Sequence, residues 1–169
     1  MIPELGHFAL ILALLVAATQ GIVPMLGAAL NQSRMMALAR PAARMQFFLV
    51  ATAFACLAWS FASNDFSVQN VAANSNSELP LHYRIAATWG SHEGSLLLWT
   101  LMLAGWSCAV SAFSRNLPDA LAARVLSVMG LISVGFLLFL LFTSNPFARL
   151  IPPAPEGRDR RRRRPLDWR

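Results

Sequence analysis

The chain has 169 residues, of which 56% are hydrophobic and 13% are charged, and its formal net charge is +6. Its apolar residues are gathered into blocks of membrane-spanning length, which excludes an ordinary soluble domain and indicates an integral membrane protein. The sequence contains no phosphate-binding glycine loop, no nucleophile–base arrangement, no paired carboxylates and no zinc or C-x-x-C spacing. By itself it therefore indicates no specific reaction.

Four apolar blocks, each free of Asp, Glu, Lys and Arg, are long enough to cross a bilayer. A span needs about 20 residues, and its backbone polar groups must be satisfied within the segment. The predicted fold is therefore an all-α integral membrane protein, a bundle over residues 1–148. Its four transmembrane helices are expected at about residues 8–30, 45–62, 95–113 and 125–143.

The charges of the loops predict an orientation for these helices. Loop 31–44 has three arginines and no acid, and loop 114–124 has two arginines and one acid, whereas loop 63–93 has three acids and one arginine. The excess of positive charge on cytoplasmic loops places the first and third loops inside. The N-terminus and the one long loop are then outside, where residues 79–86 either lie on the membrane surface or pack on the helix ends.

Small residues recur at helical spacing in the third block, at Ala104, Ser107, Cys108 and Ser111. Small residues allow helix backbones to approach closely, so this stripe predicts a helix–helix seam. The seam either belongs to the bundle itself or receives another subunit. Cys108 and the second cysteine, Cys56, are expected to be small packing residues without a redox or metal role.

Residues 89–99 read Trp-Gly-Ser-His-Glu-Gly-Ser-Leu-Leu-Leu-Trp and place His92 and Glu93 at the mouth of the third block, between Trp89 and Trp99. Ser91 is expected to cap the helix, and Glu93 suits the positive end of the helix dipole. Imidazole is a haem ligand and a proton carrier, so His92, with Trp89, Glu93 and Trp99 around it, is the candidate contact for haem or a partner. The alternative is an interfacial histidine bonded to its neighbours.

His7 and His82 are weaker candidates on the same outer side of the membrane. A haem held between His7 and His92 is geometrically conceivable, because both lie near the outer ends of helices. Nothing in the sequence indicates that the two histidines face each other. No resident metal ion is expected.

Residues 149–169 form a basic tail rich in proline and arginine, which we expect to be disordered. Eight arginines against three acids give it +5, an inside signal on a segment that four helices place outside. The tail either binds phosphates of lipid or nucleic acid, reverses the predicted orientation, or is a frameshifted end. The absence of lysine and the abundance of Ala, Arg and Pro favour the frameshift, and we expect no nucleic-acid partner.

Six stretches resemble the N-terminal part of the CcmF/NrfE family of haem-lyase membrane subunits in cytochrome c biogenesis. They occur in order at residues 3–10, 64–68, 71–77, 79–86, 89–99 and 141–147. The resemblance implies a multi-pass protein of the bacterial inner membrane whose long loop is periplasmic. It also implies a family activity, in which haem from a haem chaperone is joined to the C-x-x-C-H thiols of apocytochrome c.

The same resemblance implies thioredoxin-like carriers of the apocytochrome as partners, besides membrane lipid and the other maturation subunits. Members of the family are several times longer, and they continue into a tryptophan-rich haem-handling segment and the haem-ligand histidines. None of these follows residue 159, so we expect a truncated N-terminal fragment, inactive alone. The alternatives are a standalone small membrane assembly or binding protein and, more remotely, a quinone-linked electron-transfer subunit.

Overall fold

The computed structural model describes residues 1–152 and Gly157. Its helices are α1 (Ile2–Ala29), α2 (Ser33–Ala37), α3 (Ala39–Ala62), α4 (Gln69–Asn74), α5 (Leu81–Gly90), α6 (His92–Phe113) and α7 (Asp119–Phe142), with a 3₁₀ turn at Ser114–Asn116. Four of them, α1, α3, α6 and α7, are long and apolar enough to cross a membrane. The predicted fold class, an all-α membrane protein with four spanning helices, is confirmed.

The four long helices alternate in direction and so define two ends of the bundle. At one end α1 and α6 begin, α3 and α7 end, and residues 63–91 connect α3 to α6; we refer to it as the loop end. At the other end, the arginine end, Arg40 forms an ion pair with Asp119 at 3.3 Å and donates to the carbonyl of Ser114. The orientation of these ends in a membrane remains a prediction.

Helix α1 lies between α3 and α7 and buries a face in which glycine and alanine predominate. Its backbone comes very close to that of α7, because a Cβ added to Gly130 would lie 2.9 Å from the Gly21 nitrogen and 3.1 Å from the Ala17 carbonyl oxygen. Beside this contact, the Gln20 amide donates to the Leu126 carbonyl at 2.8 Å. Helices in lipid associate through such close packing and interhelical hydrogen bonds.

The small-residue stripe of α6 packs against α3. Ala104, Ser107 and Ser111 are fully buried, and the Arg44 side chain donates to the Ser111 hydroxyl at 3.3 Å. The stripe is therefore a helix–helix seam within this bundle and not a face left open for another subunit. Cys56 is buried and Cys108 half-buried, and both are free thiols.

The α1–α7 contact predicts that Gly130→Ala destabilises the bundle by about 1–3 kcal/mol, because the new methyl group forces two backbones apart. Gly135→Ala is the matched control on the same helix, since a Cβ there meets no atom of the described residues within 4 Å. Denaturant or thermal unfolding in detergent compares the two variants. Equal stability for both would contradict the importance of this contact.

Candidate functional site

The motif at residues 89–99 forms the junction between α5 and α6. Helix α5 ends at Gly90, Ser91 is extended, and α6 begins at His92. The Ser91 hydroxyl accepts a hydrogen bond from the Gly94 N–H at 3.0 Å, which confirms the predicted N-cap. The Ser95 hydroxyl donates to the Trp89 carbonyl at 2.7 Å. Serine hydroxyls before and after His92 therefore hydrogen-bond to the backbone of the junction.

Only one of the two glycines in this junction is required by close packing. A Cβ added to Gly94 would overlap the Thr88 carbonyl oxygen, whereas one added to Gly90 meets nothing among the described residues within 4 Å. Thr88 itself is buried. Gly94 therefore allows the last turn of α5 to rest directly on the first turn of α6.

His92 is exposed at the first position of α6, on the side of α7. Its ring lies 6.5 Å from that of Phe139 in an edge-to-face arrangement. Glu93 is half-buried in the first turn, where the helix dipole favours its negative charge. Trp89 and Trp99 are both exposed, so the motif presents one accessible imidazole on a surface that carries exposed tryptophans.

The other two histidines occur at the loop end but have separate neighbours. His7 is half-buried, with its Nδ1 3.5 Å from the amide nitrogen of Asn145. The exposed His82 ring lies 4.3 Å from that of Tyr83 on α5. Among residues 1–152 and 157, no group of three His, Cys, Asp or Glu side chains is placed to hold a metal ion.

A clamp at the loop end, absent from the sequence predictions, joins the beginning of the described chain to its end. Arg149 bonds to Glu4 and Ser67, and it lies 3.9 Å from the Asp65 carboxylate. The Leu150 N–H donates to the Ser67 carbonyl at 2.9 Å. Thus Arg149 and Leu150, assigned to the basic tail by sequence, pair with the loop, while the remaining tail residues 153–156 and 158–169 lie outside the described part.

The junction predicts opposite outcomes for its two glycines. Gly94→Ala forces α5 away from α6, and we expect a loss of about 1–3 kcal/mol in the free energy of unfolding. Backbone amides of residues 84–90 should then exchange faster with deuterated water. Gly90→Ala is the control and should leave both quantities unchanged; similar exchange in the two variants would contradict the contact.

Fold and site together define a polytopic α-helical membrane protein that gathers its three histidines at the loop end. No protein-family model matches the chain. The chain is similar to the cytochrome c-type biogenesis protein CcmF of Pseudomonas aeruginosa, with 60% identity over 160 residues, or 94% of this chain and 24% of that protein. CcmF of Escherichia coli is 54% identical over 160 residues, covering 94% of this chain and 25% of that protein.

NrfE of Haemophilus influenzae is 42% identical over 159 residues, again 94% of this chain and 25% of that protein. A solved structure of the cytochrome c haem lyase CcmF superposes with a TM-score of 0.82 and 28% identity, covering 87% of this chain and 25% of that one. The chain matches the N-terminal part of CcmF/NrfE proteins and spans about a quarter of the length of these relatives. The resemblance noted in the sequence is confirmed.

Proposed function

We propose that the chain acts in cytochrome c maturation as the N-terminal membrane bundle of a CcmF-type haem lyase, located in the bacterial inner membrane. The observation that carries this proposal is the 60% identity to P. aeruginosa CcmF across 94% of the chain. The matching fold of the solved CcmF supports it. We propose further that the bundle alone does not attach haem and that the remaining helices of the lyase supply the chemistry.

Haem fits this bundle as a surface contact. His92 is exposed and can offer one ring nitrogen to iron or to a haem-carrying partner. An internal site between His7 and His92 fits poorly, because His7 faces Asn145 while His92 adjoins Phe139. We therefore assign His92 to a site completed by other helices of the lyase.

The loop end is also the proposed docking side for the maturation partners. These are the haem chaperone, the thioredoxin-like carriers and apocytochrome c, which meet in the periplasm. The arrangement of charge supports a periplasmic loop end: Arg34, Arg40 and Arg44 cluster at the arginine end. At the loop end four acids, Glu4, Asp65, Glu78 and Glu93, outnumber the arginines Arg84 and Arg149, and positive loops favour the cytoplasm.

Cysteine labelling in whole cells tests this orientation. We expect Gln69→Cys, exposed at the loop end, to react with a membrane-impermeant maleimide once the outer membrane is opened. Arg34→Cys, exposed at the arginine end, should react only after the inner membrane is also permeabilised. The native Cys56 and Cys108 are replaced by alanine in both variants. The reverse pattern would overturn the orientation.

Reconstitution from two pieces tests the function. In a bacterium lacking its own CcmF, the chain alone should yield no covalent cytochrome c. Supplying the remaining three quarters of P. aeruginosa CcmF as a second polypeptide should restore haem-stained cytochrome c. Maturation by the chain alone would contradict the proposed dependence. Failure of the pair, where intact P. aeruginosa CcmF succeeds, would contradict the proposed function.

In the same assay His92→Ala should lower the yield of mature cytochrome c by about tenfold, as expected for a group beside a metal centre. His82→Ala is the matched control, because His82 is also exposed at the loop end but contacts Tyr83 instead. Membrane levels of both variants are compared by immunoblot. Equal yields from both would remove His92 from the proposed haem site and favour a simple interfacial role.

A further inference from the structure

Helix α5 carries an apolar stripe that faces away from the protein. Leu81, Ile85 and Trp89 are 53%, 38% and 45% exposed, and their spacing of four residues places them along one side of the helix. A surface helix of a soluble protein normally turns such a side towards the core. In α5 the apolar stripe faces outward instead. No other described residue covers it, so it must be covered by something outside the described part of the chain.

The side of α5 next to this stripe is attached to the bundle by one hydrogen bond and one close backbone contact. The Arg84 guanidinium donates to the Ala62 carbonyl, the last residue of α3, at 3.0 Å. The buried Thr88 rests its carbonyl against Gly94 in the first turn of α6. These contacts hold α5 at the level where α3 ends and α6 begins, so the helix cannot turn its apolar stripe inward.

Both neighbouring helices carry an exposed tryptophan towards this end. Trp59, in the last turn of α3, is 60% exposed, and Trp99, in the third turn of α6, is 61% exposed. Tryptophan on the outside of a membrane helix near its end marks the boundary between hydrocarbon and headgroups. Trp89 on α5 adds a third exposed indole to the same end of the same two helices.

We infer that α5 is an interfacial helix whose Leu81–Ile85–Trp89 stripe is embedded in lipid at the headgroup boundary. We take lipid as the occupant because α5 is attached to the ends of α3 and α6, two helices long and apolar enough to cross a membrane, which carry exposed indoles near those ends. Burial of such a face just below the headgroups is the usual way in which amphipathic helices bind a bilayer. The inference concerns the fold in the membrane and does not depend on the reaction proposed above.

The stripe also sets the depth of the candidate site. Only Ser91 separates α5 from His92, and the capped junction leaves little freedom between them. With α5 fixed at the headgroup boundary, the His92 imidazole is held there too. At that depth the imidazole can be reached both from water and from the membrane. Such a position suits a group that binds an amphipathic molecule.

Spin labels at single cysteines test the inference in the full chain, with Cys56 and Cys108 replaced by alanine. The labels are attached at Leu81→Cys, Ile85→Cys and Trp89→Cys in vesicles of phosphatidylethanolamine and phosphatidylglycerol. Ile132→Cys, exposed in the middle of α7, provides the lipid standard, and Gln69→Cys provides the water standard. Oxygen reports access from lipid, and a water-soluble nickel chelate reports access from water.

We expect all three α5 labels to collide more often with oxygen and less often with the nickel chelate than the label at position 69. Access like that of position 69 would place the stripe in water and overturn the inference. Protection from both reagents would place it against a protein surface, a second copy or a partner, and would overturn the inference equally.

A measurement without labels provides an independent check. Lipids brominated near the headgroup end of their acyl chains quench indole fluorescence on contact. We expect the unmodified chain to lose more fluorescence to these lipids than Trp89→Phe does, because the deleted indole is one of those in contact. Equal absolute losses would mean that Trp89 does not touch lipid, and the inference would fail even if the cysteine variants misfold.

Discussion

The close approach of α1 and α7 at Gly21 and Gly130 is the contact on which the arrangement of the bundle depends. Lipid removes the hydrophobic drive for helix pairing, so the helices must gain association energy from close packing. The small face of α1 provides that packing on both sides, towards α3 and towards α7. Once α1 and α7 are fixed in this register, the first turn of α1 lies beside the residues that follow α7, and His7 meets Asn145.

The elements that sequence predicted well are those set by composition or by neighbours along the chain. Four uncharged apolar blocks permit little except spanning helices, because their backbone groups have no partner in lipid other than one another. The N-cap at Ser91 is equally local, since its acceptor and its donor, the Gly94 N–H, are three residues apart. The family was likewise recognisable, because its signature stretches are continuous in the chain.

The elements that sequence did not predict depend on distant partners. The ten residues of α5 mix polar and apolar types, and the contacts of Arg84 with the end of α3 and of Thr88 with Gly94 determine which side faces out. From the sequence, Arg149 was assigned to a basic tail. The fold places it beside Glu4, 145 positions earlier in the chain, and this contact could not be seen in the sequence. Within α1 the small face is concealed in sequence, because the surrounding residues are apolar on every side and give no periodic contrast.

The clamp formed by Glu4 and Arg149 has a consequence for biosynthesis. A membrane protein is inserted as it is translated, so Glu4 leaves the ribosome long before Arg149 does. Its final partner does not exist until α7 has been made, and the first turn of α1 must wait while three further helices enter the bilayer. Closure across the loop end is therefore a late step in the assembly of these four helices, because it requires that the last of them has been made.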